Sequence, residues 1–492
     1  MHVLTRMVAS FRMPSLLRSV VVAIGLFSAA CSSLQSDFRS SVPAPALVSA
    51  DPVDDYLRLV MENNKIPGAA VAIVRDGKIE KIAAYGFADL ESEAKVELST
   101  PFQIASATKV FTATLVMLLV QEGVLDLDAP VSKYLSDAPE AWKLITLRHL
   151  AAHASGIHDD PADQTDDAAT VQARYEAAKK LPLDAKAGER SEYALTDFVV
   201  LTHLLEKVTG KPFEELLTQR VFKPLGFGCT SFEHATQEGP LRLADVIPRR
   251  ATTYRYAEGL QKRAWYLYPK HAYAAGGAFS CVNDLARWAV AMDQGTLLKP
   301  SYQVLASAPL QLHDGRFAGF GVGFAVSTLR GLPFFGHSGG PGLADIVRVP
   351  DKKLTVVVLT NQQRLFPALG ANIASLYLPP LPALETPGIA ETEPLVAESH
   401  RQVVEAMVTG RFDEQAFAPR ARETLLPALQ QWGVLFGHAF PALRKMVLLS
   451  DTRTKDSRKR VYRVIYGKDI SLQWVFSLDA TGKILDVLYD LE

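Results

Sequence analysis

An early β-hairpin and a late group of strands, separated by a long and mostly helical middle, constrain this chain more than any other feature of its sequence. Ala69 to Val74 and Ile79 to Tyr85 are short apolar and β-branched runs, and Asp76-Gly77 between them is a turn pair that closes a hairpin. Strand-like runs return only at Phe317 to Thr328, Leu332 to Gly336, Ala344 to Val349 and Leu354 to Thr360, each bounded by glycine, proline or charged turns. Antiparallel pairing of the late strands with the early hairpin gives one sheet. Helices from the middle of the chain then flank it, so the expected class is an α/β (α+β) sandwich with a mostly helical insert. The helical segments are legible from their spacing: Val53 to Met61, the apolar run Val110 to Val120, and Thr196 to Val208. Asp159 to Asp184 is acidic and alanine-rich, and is expected to be a surface excursion forming part of a pocket wall.

With 492 residues the chain exceeds one ordinary core and implies two or three folding units. Periodicity is lost and proline accumulates from Pro379-Pro380-Leu381-Pro382 to Pro387-Gly388 and Pro394, the composition of a stiff linker. Residues 51–377 are therefore the expected main domain, 378–396 the linker and 397–492 a small α+β accessory domain. In the last of these, helical patterns at Leu395 to Val408 and around Arg422 to Phe436 precede strands at Val461 to Tyr466, Leu472 to Leu478 and Ile484 to Leu491.

At the other end, Arg6, Arg12 and Arg18 precede the apolar run Val20 to Phe27 and the small residues Ser28-Ala29-Ala30 before Cys31. This is an export signal over residues 1–31, too short to span a bilayer stably. Its end is similar to a lipobox, which makes Cys31 the expected lipid attachment site, although Ser28-Ala29-Ala30 also fits an ordinary cleavage site. Residues 32–50, rich in serine, alanine and proline, then form a disordered tether. The expected location is the periplasm, on the outer membrane, with Ser32-Ser33 following the cysteine. Besides Cys31 only Cys229 and Cys281 occur, so a pair between them is allowed and no disulfide framework is required. A net charge of −1 offers no basic excess, which argues against nucleic acid as a partner.

Ser106 and Lys109 lead into the apolar run. Three residues apart on a helix, they share a face, which places a hydroxyl beside an amine. A lysine whose surroundings disfavour its charged form can take the serine proton, and the serine then attacks an acyl carbon to give an acyl-enzyme.

Further stretches extend this pair: Pro67-Gly68-Ala69-Ala70-Val71, Ile104-Ala105-Ser106-Ala107-Thr108-Lys109, Ile145 to Gly156, Lys223-Pro224-Leu225-Gly226 and Gly276-Gly277-Ala278-Phe279-Ser280. In this order they resemble the serine β-lactamase and penicillin-binding-protein superfamily, in the branch of class C β-lactamases, esterases and D-aminopeptidases. The resemblance runs from about Val53 to Tyr377 and implies a β-lactamase/transpeptidase-like fold. It also implies that Tyr193 is the partner of Ser106 and Lys109, with its phenol pKa lowered by the nearby cation. Gly336-His337-Ser338-Gly339-Gly340 takes the place of the Lys-Thr-Gly strand. By the same resemblance the strand lies at a sheet edge, His337 faces the nucleophile, and the backbone N–H groups of Ser106 and Gly340, next to Gly339, form the oxyanion hole. Where relatives carry asparagine this chain has Leu195, which cannot hydrogen-bond an acylamino group.

The expected activity is that of an exported serine hydrolase on small-molecule or peptide substrates. Ester-like turnover is favoured, no cofactor or metal is required, and Tyr193 or His337 activates the deacylating water. The rival readings are a β-lactamase or a D-Ala-D-Ala carboxypeptidase/D-aminopeptidase, and a non-catalytic cell-wall-binding or sensor protein. His153, with no acidic partner or second ligand at suitable spacing, reads as a packed histidine.

Overall fold

The computed structural model describes residues 51–160, 169–238, 241–264, 268–340, 343–363, 369–378, 388–409, 411–426, 429–430, 442–454, 457–467 and 470–491. The export signal, Cys31 and the tether therefore lie outside the described residues.

The expected sheet forms. In spatial order its strands are Ala325–Leu329, Leu332–Gly339, Ala344–Val349, Leu354–Thr360, Gly68–Arg75, Lys78–Asp89 and Ala94–Lys95, with every neighbouring pair antiparallel. The early hairpin turns at Asp76 and Gly77, both at positive φ, and meets the late strands along Leu354–Thr360, with Ala70 opposite Leu359 and Ala72 opposite Val357.

Alternation along the central strand Gly68–Arg75 explains why it is buried throughout. Ala70, Ala72 and Val74 face a large core built around the helix Lys109–Gln121. Val71 and Ile73 face a second core with Val53 and Leu57 of the helix Pro52–Asn63 and Ile373 of the helix Leu369–Tyr377. Helices on both faces remove water from both sets of side chains, and each fully buried aliphatic contributes roughly 1.5–3 kcal/mol. The helix Lys109–Gln121 is apolar on all sides and buried along most of its length, as befits a helix inside a domain rather than on its surface.

One local expectation is corrected, and two further elements carry no clear sequence signal. The strand expected over Phe317–Thr328 begins only at Ala325; glycines at 319, 321 and 323 break the preceding stretch into turns, Gly323 lying at positive φ. A small sheet of Phe102–Gln103, Ala278–Ser280 and Ser231–Phe232 has no clear sequence signal, because strands of two or three residues show no periodicity. The strand Leu443–Arg453 was missed in the accessory segment because charges at both ends hide its alternation.

Residues 51–492 form one compact unit. The carboxy-terminal part nonetheless has its own core, in which Val404, Met407 and Phe417 pack against Tyr462, Trp474 and Phe476 of a four-stranded antiparallel sheet. The helix expected around Arg422–Phe436 is a short one, Pro419–Thr424, and much of the remainder lies outside the described residues. About half of the expected linker, residues 379–387, also lies outside them. Its later part is docked: Ile389 donates its N–H to Leu448, Glu391 pairs with the fully buried Arg460 at 2.6 Å, and Glu393 pairs with Arg458 at 2.8 Å.

Cys229 and Cys281 are joined, with Cα atoms 5.8 Å apart and a separation of 52 residues in sequence. The bond closes the loop that carries Ser231–Phe232 onto the strand Ala278–Ser280. Replacing both cysteines with serine should lower stability by up to about 4 kcal/mol if loop-closure entropy dominates, seen as a lower urea midpoint. An unchanged midpoint would show that the bond does not constrain the folded unit.

Candidate active site

The nucleophile candidate is presented by a change of backbone geometry. Phe102–Gln103 ends at Ile104, Ala105 adopts a positive φ of 45°, and Ala105–Thr108 form a 3₁₀ turn that runs directly into the helix Lys109–Gln121. An α-helix was expected here. The expected direct approach of the Lys109 amine to Ser106 is made instead through the Tyr193 hydroxyl. Two hydrogen bonds fasten the turn to the strand Ala278–Ser280: Thr108 Oγ1 accepts from Ala278 N at 3.1 Å, and Ile104 N donates to the Ala278 carbonyl at 3.1 Å.

Lys109 is only 1% exposed. Its Nζ donates to the Tyr193 hydroxyl at 2.6 Å and to the Ala275 carbonyl at 2.7 Å, and it lies 4.7 Å from the ring centres of both Tyr193 and Phe198. Tyr193 in turn donates to Ser106 Oγ at 2.9 Å. The three sequence-predicted residues thus form one continuous chain, Lys109 to Tyr193 to Ser106. Burial lowers the Lys109 pKa to about 7, against the opposing pull of Asp159, so the amine is a neutral base over much of the physiological range.

Tyr193 corrects one expectation. Instead of falling beside a cation, its pKa is pushed up to about 12, because protein atoms crowd the hydroxyl and the hydrogen bond with Ser106 only partly opposes this. The residue as a whole is 48% exposed, so the open part of its surface is available to a substrate while the hydroxyl stays a phenol. A phenol can relay a proton between Ser106 and Lys109, but it does not stand there as a tyrosinate base.

His337 and Gly339 arrive on the strand Leu332–Gly339, which extends beyond the expected Gly336. This is the second strand of the sheet rather than its edge. The outer strand pairs only as far as Gly336, however, so His337, Ser338 and Gly339 are paired on one side only and are locally at an edge. Gly339 approaches the nucleophile turn so closely that a Cβ there would lie 1.8 Å from the Ile104 carbonyl, which is why a side chain cannot be accommodated. Gly340 follows at φ 129°, backbone that favours glycine. The His337 ring lies 6.2 Å from that of Tyr193, and its Nδ1 is bonded to the Ser338 carbonyl at 2.6 Å, which fixes the proton on Nδ1 and leaves Nε2 as a buried lone pair without a partner. Burial, with Lys109 adding to it, lowers the His337 pKa to about 3, so the ring is neutral.

Leu195 opens the helix Leu195–Thr209; its N–H donates to Asp159 at 2.7 Å, and its side chain, 8% exposed, belongs to the large apolar core. Two neighbours escaped sequence reasoning. Phe320 lies 5.8 Å from Tyr193 and 6.3 Å from His337, ring to ring, yet it sits in the stretch read as a strand. Asp345, buried behind the strand, accepts from Ser338 Oγ at 2.9 Å and from Gly370 N at 2.7 Å, and burial raises its pKa to about 7. Its register opposite Ser338 could be found only from the pairing.

A cleft of about 80 Å³ opens beside Tyr193, lined by His153, Asp159, Arg190 and Glu192 among others. A larger cavity of about 570 Å³, lined by Glu206, His234, Tyr268 and Lys270 among others, includes none of Ser106, Lys109, Tyr193 or His337. Of the four, only Tyr193 lines the small cleft.

The family profile described as Beta-lactamase matches residues 53–376, the part of the chain that contains this constellation and both sheet-flanking cores. The chain belongs to the beta-lactamase family. Penicillin-binding protein 4 of Amycolatopsis lactamdurans is 28% identical over 325 residues, covering 60% of this chain and 81% of that protein. The octameric penicillin-binding protein homologue from Pyrococcus abyssi superposes with a TM-score of 0.57 at 20% identity, covering 89% of this chain and 98% of that one. The D-amino acid amidase from Ochrobactrum anthropi SV3, complexed with L-phenylalanine amide, gives 0.53 at 23% identity, covering 63% of this chain and 92% of that one. These two likenesses establish the mixed α/β fold of this beta-lactamase family member.

If neutral Lys109 is the base, kcat/KM for p-nitrophenyl acetate should rise through about pH 7. Stability should change in the same direction. The folded value lies below the unfolded value of about 10.4, so the unfolded state binds more protons between these limits and the Lys109 contribution rises with pH from about 7 to about 10, staying flat below. Lys109→Met should remove both dependences; a rising limb that survives in a folded Lys109→Met variant would assign the base elsewhere.

Proposed function

We propose that the protein is an exported serine hydrolase acting through a Ser106 acyl-enzyme, with ester-like substrates preferred. The observation that carries the reading is the unbroken hydrogen-bond chain from Lys109 through Tyr193 to Ser106. Its hydroxyl protons can run in either direction, because hydroxyl hydrogens rotate.

In the acylation step Ser106 Oγ forms a bond to the substrate acyl carbon as its proton passes to Tyr193 and the Tyr193 proton passes to Lys109. The carbonyl oxygen takes the electron pair and is met by the backbone N–H groups of Ser106 and Gly340. Collapse breaks the bond to the alcohol or amine, which leaves with the proton returned along the same chain. Water then attacks the acyl-enzyme, losing its proton to Tyr193–Lys109 or to the bare Nε2 of His337, and carboxylic acid and free Ser106 are released.

Ester preference rests on Leu195. A buried leucine offers no donor or acceptor to an acylamino group, and leaving that group unpaired costs about 1–3 kcal/mol. A simple ester has no such group to lose. Cleavage of β-lactams or cell-wall peptides is the competing reading, supported by the similarity to a penicillin-binding protein. Export rests on the amino-terminal pattern ending at Cys31.

Fluorophosphonate should label the wild-type protein, and Ser106→Ala should abolish labelling and turnover with no change in thermal melting, since one hydroxyl contributes little packing. Absence of labelling in a folded wild type would favour a non-catalytic sensor. Leu195→Asn should lower the melting temperature, because an amide enters an apolar core. Where the new amide reaches the cleft beside Tyr193, it should also raise the ratio of nitrocefin to p-nitrophenyl acetate kcat/KM about threefold to tenfold, the equivalent of one hydrogen bond. An unchanged ratio in a folded variant would detach substrate class from this position.

A further inference from the structure

The turn His153–Gly156 was expected to be simple packing, on the ground that His153 had no acidic partner. The fold supplies one: Asp197, in the first turn of Leu195–Thr209, brings Oδ2 to 3.5 Å from His153 Nδ1, and its other oxygen accepts from Ser155 Oγ. His153 is 2% exposed and adopts a φ of 54°, a conformation that non-glycine residues adopt at a cost.

The same turn is the template for the loop that carries Tyr193. Ser191 Oγ donates to the Ala152 carbonyl at 2.9 Å, Glu192 N to the His153 carbonyl at 2.8 Å and Gly188 N to the Ala154 carbonyl at 2.8 Å. Ala194 N then donates to His153 Nδ1 at 3.2 Å, and the imidazole lies against the Tyr193 ring with centroids 4.5 Å apart. Phe198 and Phe320 close the other sides of the imidazole at 5.1 and 4.9 Å. The residue immediately after the tyrosine and the tyrosine ring itself are thus both held by one side chain. Accepting at Nδ1 requires the proton on Nε2, and burial, with Lys109 and His337 adding to it, keeps the ring neutral. Burial likewise raises the Asp197 pKa well above the ordinary carboxylate value, against the hydrogen bond from Ser155.

We propose that His153 is the positioning residue for Tyr193, acting through the tyrosine by fixing its ring against the imidazole and its following peptide on Nδ1. The proposal rests on the Lys109–Tyr193–Ser106 reading. It separates from mere packing because a structural histidine would affect melting without acting through Tyr193.

Tyr193, Phe198 and Phe320 pack on the His153 ring, and Lys109, His337 and Asp197 are the titratable groups near it, so the test must isolate Tyr193 among them. His153→Asn suits the left-handed backbone and removes the ring; His153→Phe keeps a ring and removes the acceptor. In the full-length protein with p-nitrophenyl acetate, each should lower kcat about tenfold or more with KM little changed. In a Tyr193→Phe background the same changes should cost less than twofold, the signature of residues acting as one unit. Equal losses in both backgrounds, or folded variants with wild-type kcat, would overturn the proposal. ¹⁵N-histidine NMR of the wild type supplies a readout independent of turnover and of variant folding: His153 should be the neutral Nε2–H form throughout pH 6–9, and an Nδ1–H or titrating ring would overturn it. Lack of Ser106 labelling would instead strike the hydrolase reading and leave the NMR result to decide the His153 contact.

Discussion

The dehydrated amine of Lys109 is the interaction on which the rest of the site depends. An ammonium taken out of water without a carboxylate partner is costly, and the fold lowers that cost by letting the nitrogen be neutral. The helix that begins at Lys109 acts in the same direction, since its amino-terminal end disfavours positive charge. Two acceptors, the Ala275 carbonyl and the Tyr193 oxygen, then hold the amine in place. The same geometry that makes burial tolerable also aims the amine at the Tyr193 hydroxyl, which reaches Ser106.

The surrounding architecture can be understood as what keeps that nitrogen dry and the serine in register. A helix buried almost throughout needs apolar partners on every side, and the helices Phe213–Leu217, Tyr273–Gly276 and Pro300–Ser307 pack against it, while the sheet face of Ala70, Ala72 and Val74 is covered by the helix Val282–Gln294. On the other side of the nucleophile the strand end at His337–Gly339 must approach without a side chain, which Gly339 permits. Asp345 then ties this strand through Ser338 to the first turn of Leu369–Tyr377, so a helix on the far face of the sheet braces the near face. Positioning of Tyr193 uses similar means from another direction, through a strained histidine turn and main-chain hydrogen bonds. Three separate segments therefore meet at one hydroxyl, each fixed by contacts outside the site.

The carboxy-terminal segment follows a different logic. Its core is separate, and ion pairs of Arg458 and Arg460 with Glu391 and Glu393 fasten the chain just after the proline-rich stretch. Its strand Ile484–Leu491 also runs beside the outer strand Ala325–Leu329 of the main sheet. The two sheets are thus neighbours within one compact unit although each has its own apolar interior.

Much of this was legible in the chain itself. The hairpin at Asp76-Gly77, the strand Leu354–Thr360 and the helix after Lys109 all follow from local sequence, because a turn pair between β-branched runs and a continuous apolar run can be read without distant contacts. The identities of Ser106, Lys109, Tyr193 and His337 were also readable, since a motif keeps its spacing whatever surrounds it. Tertiary structure alone decided their chemistry. Whether Tyr193 is a tyrosinate or a phenol depends on how many atoms crowd its oxygen. Whether His153 has an acidic partner depends on a helix that starts 42 residues further on, and whether Asp345 or Phe320 reaches the site depends on strand register and on a turn that only looked like a strand. Local sequence encodes periodicity and residue type; desolvation and register arise from segments far apart in the chain, so they exist only once it has folded.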